Sequence, residues 1–442
     1  MELHLDNILK IRDARIALNG LTVITGENDS GKSTIGKVLF TVLKTINNTS
    51  RYNKDTAKSR IKSRLLHIAH TVEINRPDGY PKGSVGWLKE NIADIASDLV
   101  EGTIDIETIE KDILVPLDAD SFSPRTKAMV RSDFARIREI IERVNDPAKA
   151  TLREFQSICD TEFGDQLLSY DATSGNISLG TPNSGDSRLD IHIGKDSLTV
   201  DPTEANFFND VTYVESPLFL NILNQISLST SYLPMSLRYD NRRNRMLMPL
   251  HLTDFANKMS ATPDSTHSSL FQSSPQLIDS IGNLINGQFA SNPDGDELIF
   301  LRDNHKIKLG NVASGIKTFG VVQSLLRSGV ISPENLLIWD EPENHLHPRW
   351  QVEFAQLLVQ LVAEGIPVVI STHSPYFVQG IRYHAARYKV EDVVNYFMAE
   401  EREDGYSDFV EVTDDLNRVF VKLASPLNEI MNVDEARKET IQ

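Results

Sequence analysis

Residues Gly26-Glu27-Asn28-Asp29-Ser30-Gly31-Lys32-Ser33, followed by Thr34, fit the pattern G-x-x-x-x-G-K-[ST]. They lie between an apolar run, Leu21–Thr25, and a stretch with helical character, Lys32–Leu43. A loop of this composition between a strand and a helix is built for phosphate. Glycines let backbone N–H groups turn toward an anion without obstruction by side chains, and the helix N-terminus adds positive potential. Lys32 is expected to reach the β- and γ-phosphates of a nucleotide and the Ser33 hydroxyl to bind Mg²⁺. Gly26, Asn28, Asp29, Ser30, Gly31, Lys32, Ser33 and Thr34 are the candidate phosphate-binding residues.

Leu336-Leu337-Ile338-Trp339-Asp340-Glu341 reads as a buried strand that carries two carboxylates at its C-terminal end. Open α/β sheets bind ligands at that edge. Asp340 is expected to hold Mg²⁺, directly or through water, and Glu341 to orient and polarise an attacking water. A strand ending in two acids is, alone, commonly a strand with a solvated end; the glycine loop gives the pair its meaning. Ser371-Thr372-His373-Ser374-Pro375 follows another apolar run, Val368–Ile370. His373 stands one helix plus one strand after Asp340, which in a parallel sheet sets it beside the acids, where it could sense a γ-phosphate. Ala313-Ser314-Gly315-Ile316-Lys317 carries two readings. Ser314 is a helix N-cap, with Gly315 permitting the turn, or the same helix start is an anion site that meets a γ-phosphate held by another subunit, with Ser314, Gly315 and Lys317 as contacts.

These groups need strands and helices to hold them. Leu21–Thr25, Leu336–Trp339 and Val368–Ile370 are short apolar runs of buried-strand type. Trp350, Phe354, Leu357, Leu358 and Leu361 form one helix face, stopped by Gly365 and Pro367. Residues 50–167 differ from both flanks: charged, helical in pattern, and without the sustained heptads of a coiled coil. Residues 168–215 read as short strands, and Leu298–Leu309 as a hairpin turning at Asp303-Asn304. The expected organisation is therefore 1–49 and 168–442 as one α/β domain, with 50–167 as a compact helical insertion. Arg51, Lys54, Lys58, Arg60, Lys62 and Arg64 form one basic cluster, and Arg238, Arg242, Arg243 and Arg245 another. Such runs are solvated, salt-bridged helix faces or contacts to a nucleic-acid backbone or an acidic protein.

The chain has 442 residues and a formal net charge of −17, which argues against a general nucleic-acid coat. An acid-rich stretch at Glu400–Asp415 reads as a tail able to dock a basic partner. The single cysteine, Cys159, excludes an intrachain disulfide framework or a cysteine zinc cluster and fits a reducing cytosol. No run is long and apolar enough for a transmembrane helix, and the N-terminus lacks signal-peptide features. A cytoplasmic location without a membrane is expected.

The four motifs, in this order and spacing, resemble the ABC-type ATPase head: Gly26–Ser33 its Walker A loop, Asp340-Glu341 its Walker B acids, Ala313–Lys317 its signature loop and His373 its switch histidine. Glu343-Asn344-His345-Leu346-His347-Pro348 resembles the D-loop that follows Walker B. The wording Asp-Glu-Pro-Glu-Asn-His-Leu-His-Pro and Ser-Thr-His-Ser-Pro-Tyr-Phe is similar to the RecF, SMC and OLD (overcoming lysogenization defect) branch. The resemblance covers roughly residues 1–45 and 205–390 and implies an α/β P-loop NTPase fold: a mixed sheet flanked by helices, an antiparallel β subdomain and the helical insertion. It implies ATP and Mg²⁺ as cofactors, catalysis by Glu341, His373 and Lys32, and a homodimer or higher homo-oligomer with ATP at the interface. Ser33 and Asp340 would hold the metal, and Glu215, where the Q-loop belongs, is a third candidate. Ile316 and Thr318 replace the second glycine and the glutamine of the transporter signature, which disfavours a transporter. The stretch after His373 is too short for the TOPRIM domain of OLD nucleases, so nuclease activity is expected from another chain. The implied role is an ATPase that senses a trigger, DNA or a phage protein, and restrains a separately encoded nuclease or toxin, as in Septu-type or PARIS-type defence. A RecF-like DNA clamp in repair is the alternative.

Overall fold

The structure, a computed structural model, describes residues 1–50, 54–77, 85–119, 122–164, 166–181, 188–195, 197–201, 207–221, 239–240, 245–246, 248–260, 275–291 and 298–425. Arg51, Arg238, Arg242 and Arg243 of the basic clusters lie outside them. The chain divides into two units, Met1–Thr45 with Phe155–Gln442, and Ile46–Glu154.

In the first unit, β1 (Glu2–Ile8), β2 (Ile11–Ala17) and β3 (Leu21–Thr25) come first, followed by β4 (Ser174–Gly180), β5 (Arg188–Gly194), β6 (Leu198–Asp201) and β7 (Asp210–Val214). After the short pair β8 (Tyr239–Asp240) and β9 (Arg245–Met246) come β10 (Gln288–Ser291), β11 (Leu298–Arg302) and β12 (His305–Lys308), a separate antiparallel sheet. The chain then adds β13 (Asn335–Asp340), β14 (Val368–Thr372), β15 (Val394–Glu401) and β16 (Ser407–Glu411). Eleven strands form one mixed sheet in the order β6-β5-β4-β1-β2-β16-β15-β3-β14-β13-β7. From β15 through β3, β14 and β13 to β7 every pairing is parallel, whereas β4, β5 and β6 extend the β1–β2 hairpin antiparallel. The residue patterns explain the split. Parallel strands covered on both faces need unbroken apolar runs, and β3 and β14 are buried at every position. In β5 the odd and even positions alternate between exposed or half-buried and buried, as a sheet with one solvated face requires.

Helix α1 (Lys32–Ser50) leads from the phosphate loop. The second unit is helical: α2 (Lys54–Ile74), α3 (Gly86–Glu90), α4 (Ile92–Glu101), α5 (Ile106–Ala119) and α6 (Pro124–Asn145) close around Ile61, Leu65, Leu88, Leu99, Phe134 and Ile137. Local signals set their ends. Ser123 caps α6 by accepting from the Thr126 amide at 3.1 Å, with Pro124 in the first turn. Gly102, at φ +74°, ends α4. Helix α7 (Pro147–Glu162) leads back. Composition suggests a helical segment at 50–167; the compact helical unit spans Ile46–Glu154, and the rest of α7 belongs to the first unit.

Helices α8 (Leu250–Ser260), α9 (Pro275–Ile285), α10 (Ser314–Arg327), α11 (Pro348–Ala363) and α12 (Pro375–Tyr388) complete the first unit. Its core centres on fully buried aromatics. Phe354 of α11 meets Trp339 of β13 and Phe319 of α10 edge-on, each at 5.1 Å. At the other end of β7, Lys44 of α1 lies 2.5 Å from Asp210 and 2.8 Å from Asp254 of α8, and Lys258 lies 2.8 Å from both acids. This closed ring of charges ties the P-loop helix to β7 and α8. The acidic stretch Glu400–Asp415 is no tail. Most of it is the β15–β16 hairpin, inside the sheet, with Glu400 paired to Arg418 and Asp408 to Arg402. No described helix is long and apolar enough to cross a membrane.

Phe354→Ala removes the ring that joins α11 to β13 and α10. It should destabilise the first unit by about 3–5 kcal/mol, read as an earlier denaturant midpoint of tryptophan fluorescence, while the helical unit's transition stays in place.

Candidate functional site

Strand β3 ends at Thr25, whose hydroxyl donates to the Phe397 carbonyl at 3.0 Å. The next residue must turn sharply. Gly26 has φ +158°, and a Cβ there would lie 2.8 Å from the Ala399 Cβ and 2.9 Å from the Ser30 Oγ. Gly31, at φ +90°, would place a Cβ 3.1 Å from Ile11. Both positions exclude a side chain for reasons of space as well as conformation. Asp29, in the left-handed region, is tied to Lys10 at 2.6 Å. The loop encloses a cavity of about 330 Å³ lined by Lys10, residues 28–34 and Glu341. A second cavity of about 1060 Å³ adjoins it, with Lys10 and Thr34 common to both.

Lys32 is only 4% exposed. Its Nζ donates to the Glu27 carbonyl at 2.6 Å and lies 3.9 Å from Glu341 Oε1. Burial lowers its pKa, opposed by the charges of Glu341, Asp340 and Glu343. The Ser30 hydroxyl is buried in the loop without a hydrogen-bond partner. A buried cation, an orphaned hydroxyl and a side-chain-free turn are what a phosphate chain would engage.

Parallel register sets the acids. Asp340 is level with Ser371, Thr372 with Thr25, and Trp339 with Val214. Consequently the residues that follow β7, β13, β14 and β3 emerge along one edge. The Ser371 hydroxyl donates to Asp340. Burial raises the Asp340 pKa, while hydrogen bonds from Ser371 and Ser33 pull it back. Glu341 turns at φ +43°, and its amide donates to the Ser371 carbonyl at 3.1 Å. Its carboxylate meets His373 Nδ1 at 3.2 Å and accepts from Asn344 at 2.9 Å. The hydrogen bond from His373, followed by that from Asn344, holds Glu341 down at about 2 despite partial burial. His373 is raised in turn, chiefly by Glu341. Buried Glu343 accepts from the Thr372 hydroxyl at 2.6 Å and the His373 amide at 2.8 Å, and so fixes the histidine's backbone.

The expected residues divide accordingly. Gly26, Asn28, Asp29, Ser30, Gly31, Lys32, Ser33, Thr34, Asp340, Glu341 and His373 come together. Glu215 reaches the same edge, but its carboxylate is engaged by Lys37 at 3.3 Å and His251 at 3.2 Å. Ser314 does not cap its helix: α10 begins at Ser314, and Ala313 precedes it without a side-chain cap. Neither Ser314 nor Gly315 lines the phosphate cavity of its own chain. Lys317 turns inward, 3% exposed, and donates to Asn221 at 2.5 Å. Sequence reasoning did not find Lys10 or His251, and it named Asn344 only within the D-loop resemblance, without its bond to Glu341. Lys10 has a signal, a basic residue in the β1–β2 turn facing the glycine loop. His251 has none, because its partners are far away in the chain.

Two family models match: residues 215–379 match "AAA domain, putative AbiEii toxin, Type IV TA system", and residues 2–149 match "AAA domain". No curated protein matches significantly. Among solved structures, the SMC head domain from Thermotoga maritima is 11% identical, with 93% of this chain and 98% of that chain covered and a TM-score of 0.37. The SmcHead bound to the C-winged helix domain of ScpA is 11% identical, with coverage of 94% and 98% and a TM-score of 0.41. The Smc head domain with an extended coiled coil, bound to the C-terminal domain of ScpA derived from Pyrococcus furiosus, is 12% identical, with coverage of 99% and 98% and a TM-score of 0.31. The strand order and the glycine loop after β3 define a P-loop fold, a large mixed sheet with flanking helices and a smaller antiparallel sheet, two segments of which are similar to AAA domains.

The Glu341–His373 pair has a pH signature. Its contribution to stability from the raised His373 is complete below the unfolded value of about 6.5 and is lost as pH rises through the higher folded value. In Glu341→Gln the imidazole should titrate lower than in the parent, followed by ring-proton NMR. An unchanged titration would assign the shift to Glu343 alone.

Proposed function

We propose that the chain binds ATP with Mg²⁺ and hydrolyses it to ADP and phosphate. The observation that carries this is the convergence of Lys32, Ser33, Asp340, Glu341 and His373 on one edge of the parallel strands. Bound Mg²⁺–ATP supplies the scissile phosphoanhydride and the cation that neutralises it. Lys32 would offer its ammonium to the β- and γ-phosphates in place of the Glu27 carbonyl. Ser33 and Asp340 would hold the cation. An ion held there would share its shell with phosphate and water. Glu341, ionised at any physiological pH, would accept a hydrogen bond from the attacking water and orient it. His373 donates through Nδ1 to Glu341 and can turn its other nitrogen toward the γ-phosphate. The adjoining larger cavity leaves room for a nucleoside beside Lys10 and Thr34.

The second half of the reading is regulatory. A homodimer or higher homo-oligomer would bring Ser314 and Gly315 of one copy over the phosphate cavity of another, in keeping with their absence from their own cavity. The partner would be a separately encoded nuclease or toxin, restrained until DNA or a phage protein appears. The toxin–antitoxin description that matches residues 215–379 supports this setting. A RecF-like DNA clamp has less behind it. The described bases of α2 and α6 are largely spent on acids, Lys58 on Glu101, Arg64 on Asp133, Arg131 on Asp118 and Arg138 on Glu110.

Lys32→Ala should abolish nucleotide binding, and Glu341→Gln should retain ATP in a closed assembly while phosphate release falls at least roughly 100-fold. Turnover at the parental rate in Glu341→Gln would remove it as the water-orienting group. Co-purification at native expression should recover a nuclease or toxin; bound DNA, with a steep salt dependence, would favour the clamp.

A further inference from the structure

We propose that His251 is a positioning residue of the ATPase edge, holding Glu215 beside Asp340, and that Glu162 holds His251. The inference rests on the ATPase reading and adds to it a buried chain of charges that no motif contains.

His251, in the first turn of α8, is 2% exposed. Its Nδ1 lies 2.6 Å from Glu162 Oε2, and its backbone amide donates to Glu162 Oε1 at 2.9 Å. The Glu162 side chain has no exposed surface. On the opposite side of the ring, Nε2 lies 3.2 Å from Glu215 Oε2. Carboxylates only accept, so both ring nitrogens donate. Lys37 of α1 lies 3.3 Å from the other Glu215 oxygen, completing an alternating series: Glu162, His251, Glu215, Lys37.

The series ends at the site. Glu215 directly follows Val214, the partner of Trp339, and so stands level with Asp340 one strand away. Tyr213 lies near both: its ring meets His251 edge-on at 5.1 Å, and its buried phenol is pushed well up by burial and by the charges of Asp340 and Glu215. A carboxylate clamped between two cations has one orientation. Released, it would be free to swing toward Asp340 and compete for the cation or for Lys32. A buried ion series costs desolvation that apolar residues of equal volume would avoid; placing Glu215 gives it a purpose. Glu162 is also the last residue of α7, the helix that leads back from the helical unit.

The test uses the full chain: His251→Gln, Glu215→Gln and the double variant, with steady-state phosphate release at varied ATP and varied Mg²⁺. The expected result is a kcat lower by roughly 10- to 100-fold in each single variant, ATP KM within about threefold, and half-maximal Mg²⁺ shifted by about tenfold or more. The double variant should be no worse than Glu215→Gln alone, because both changes break one device. Losses that multiply, or kcat and Mg²⁺ dependence within about twofold of the parent, would overturn the proposal. If His251→Gln does not fold by circular dichroism, Glu215→Gln, at a half-buried side chain, decides alone on the same readouts. Parental turnover that Lys32→Ala abolishes keeps the ATPase reading whatever these variants do. No parental turnover removes that reading and the proposal with it.

Discussion

A single ammonium group organises the site. Lys32 is buried among Asp340, Glu341 and Glu343, and desolvation works against its charge while the three acids support it. The relation is mutual. Without a central cation, acids this close and this poorly solvated would repel one another or take up protons. The loop after β3, the end of β13 and the loop after β14 are therefore held together before any nucleotide arrives. On the proposed reading, a nucleotide would exchange partners at Lys32, phosphate for the Glu27 carbonyl. Preorganised charge of this kind costs little reorganisation at the moment of reaction.

That arrangement depends in turn on parallel register. Thr25, Thr372 and Asp340 come from distant parts of the chain, yet hydrogen-bonded ladders bring them to the same level within a residue. Shifting β14 by one residue would turn its side chains to the opposite face and separate Ser371 from Asp340 and His373 from Glu341. The apolar runs that fill β3 and β14 thus secure the site as well as the core. The ring of Lys44, Asp210, Asp254 and Lys258 steadies the far end of the same helix and strand.

Much of this was legible in the residues. The glycine loop announces itself because backbone geometry and phosphate binding demand particular residues at fixed local spacing. The convergence of the acids and His373 was legible because an apolar run ending in polar groups is also a local pattern, and one helix separates them in the chain. What escaped depends on distance in sequence. His251 is an ordinary histidine until Glu162 and Glu215 surround it. Lys317 looked available beside Gly315, but a helix start shows its neighbours on different faces, and Asn221 takes its ammonium. Ser314 looked like a cap, yet the helix starts with it. Glu400–Asp415 looked like a tail because charge outweighed the alternating apolar residues, such as Phe397 and Phe409, that seat it in the sheet.

Strand β3 carries the phosphate loop, but both of its neighbours are made late. β14 begins at Val368 and β15 at Val394, and the hydrogen bond from Thr25 reaches Phe397. At about 5–20 residues per second, a ribosome needs roughly 20–70 s to pass from the loop to its second flanking strand. During that interval the glycine-rich turn exists as chain without a sheet to hold it. On the proposed reading, nucleotide affinity would then appear only once β15 has been made, and a product truncated before Val394 would hold the whole loop sequence without the sheet that seats it.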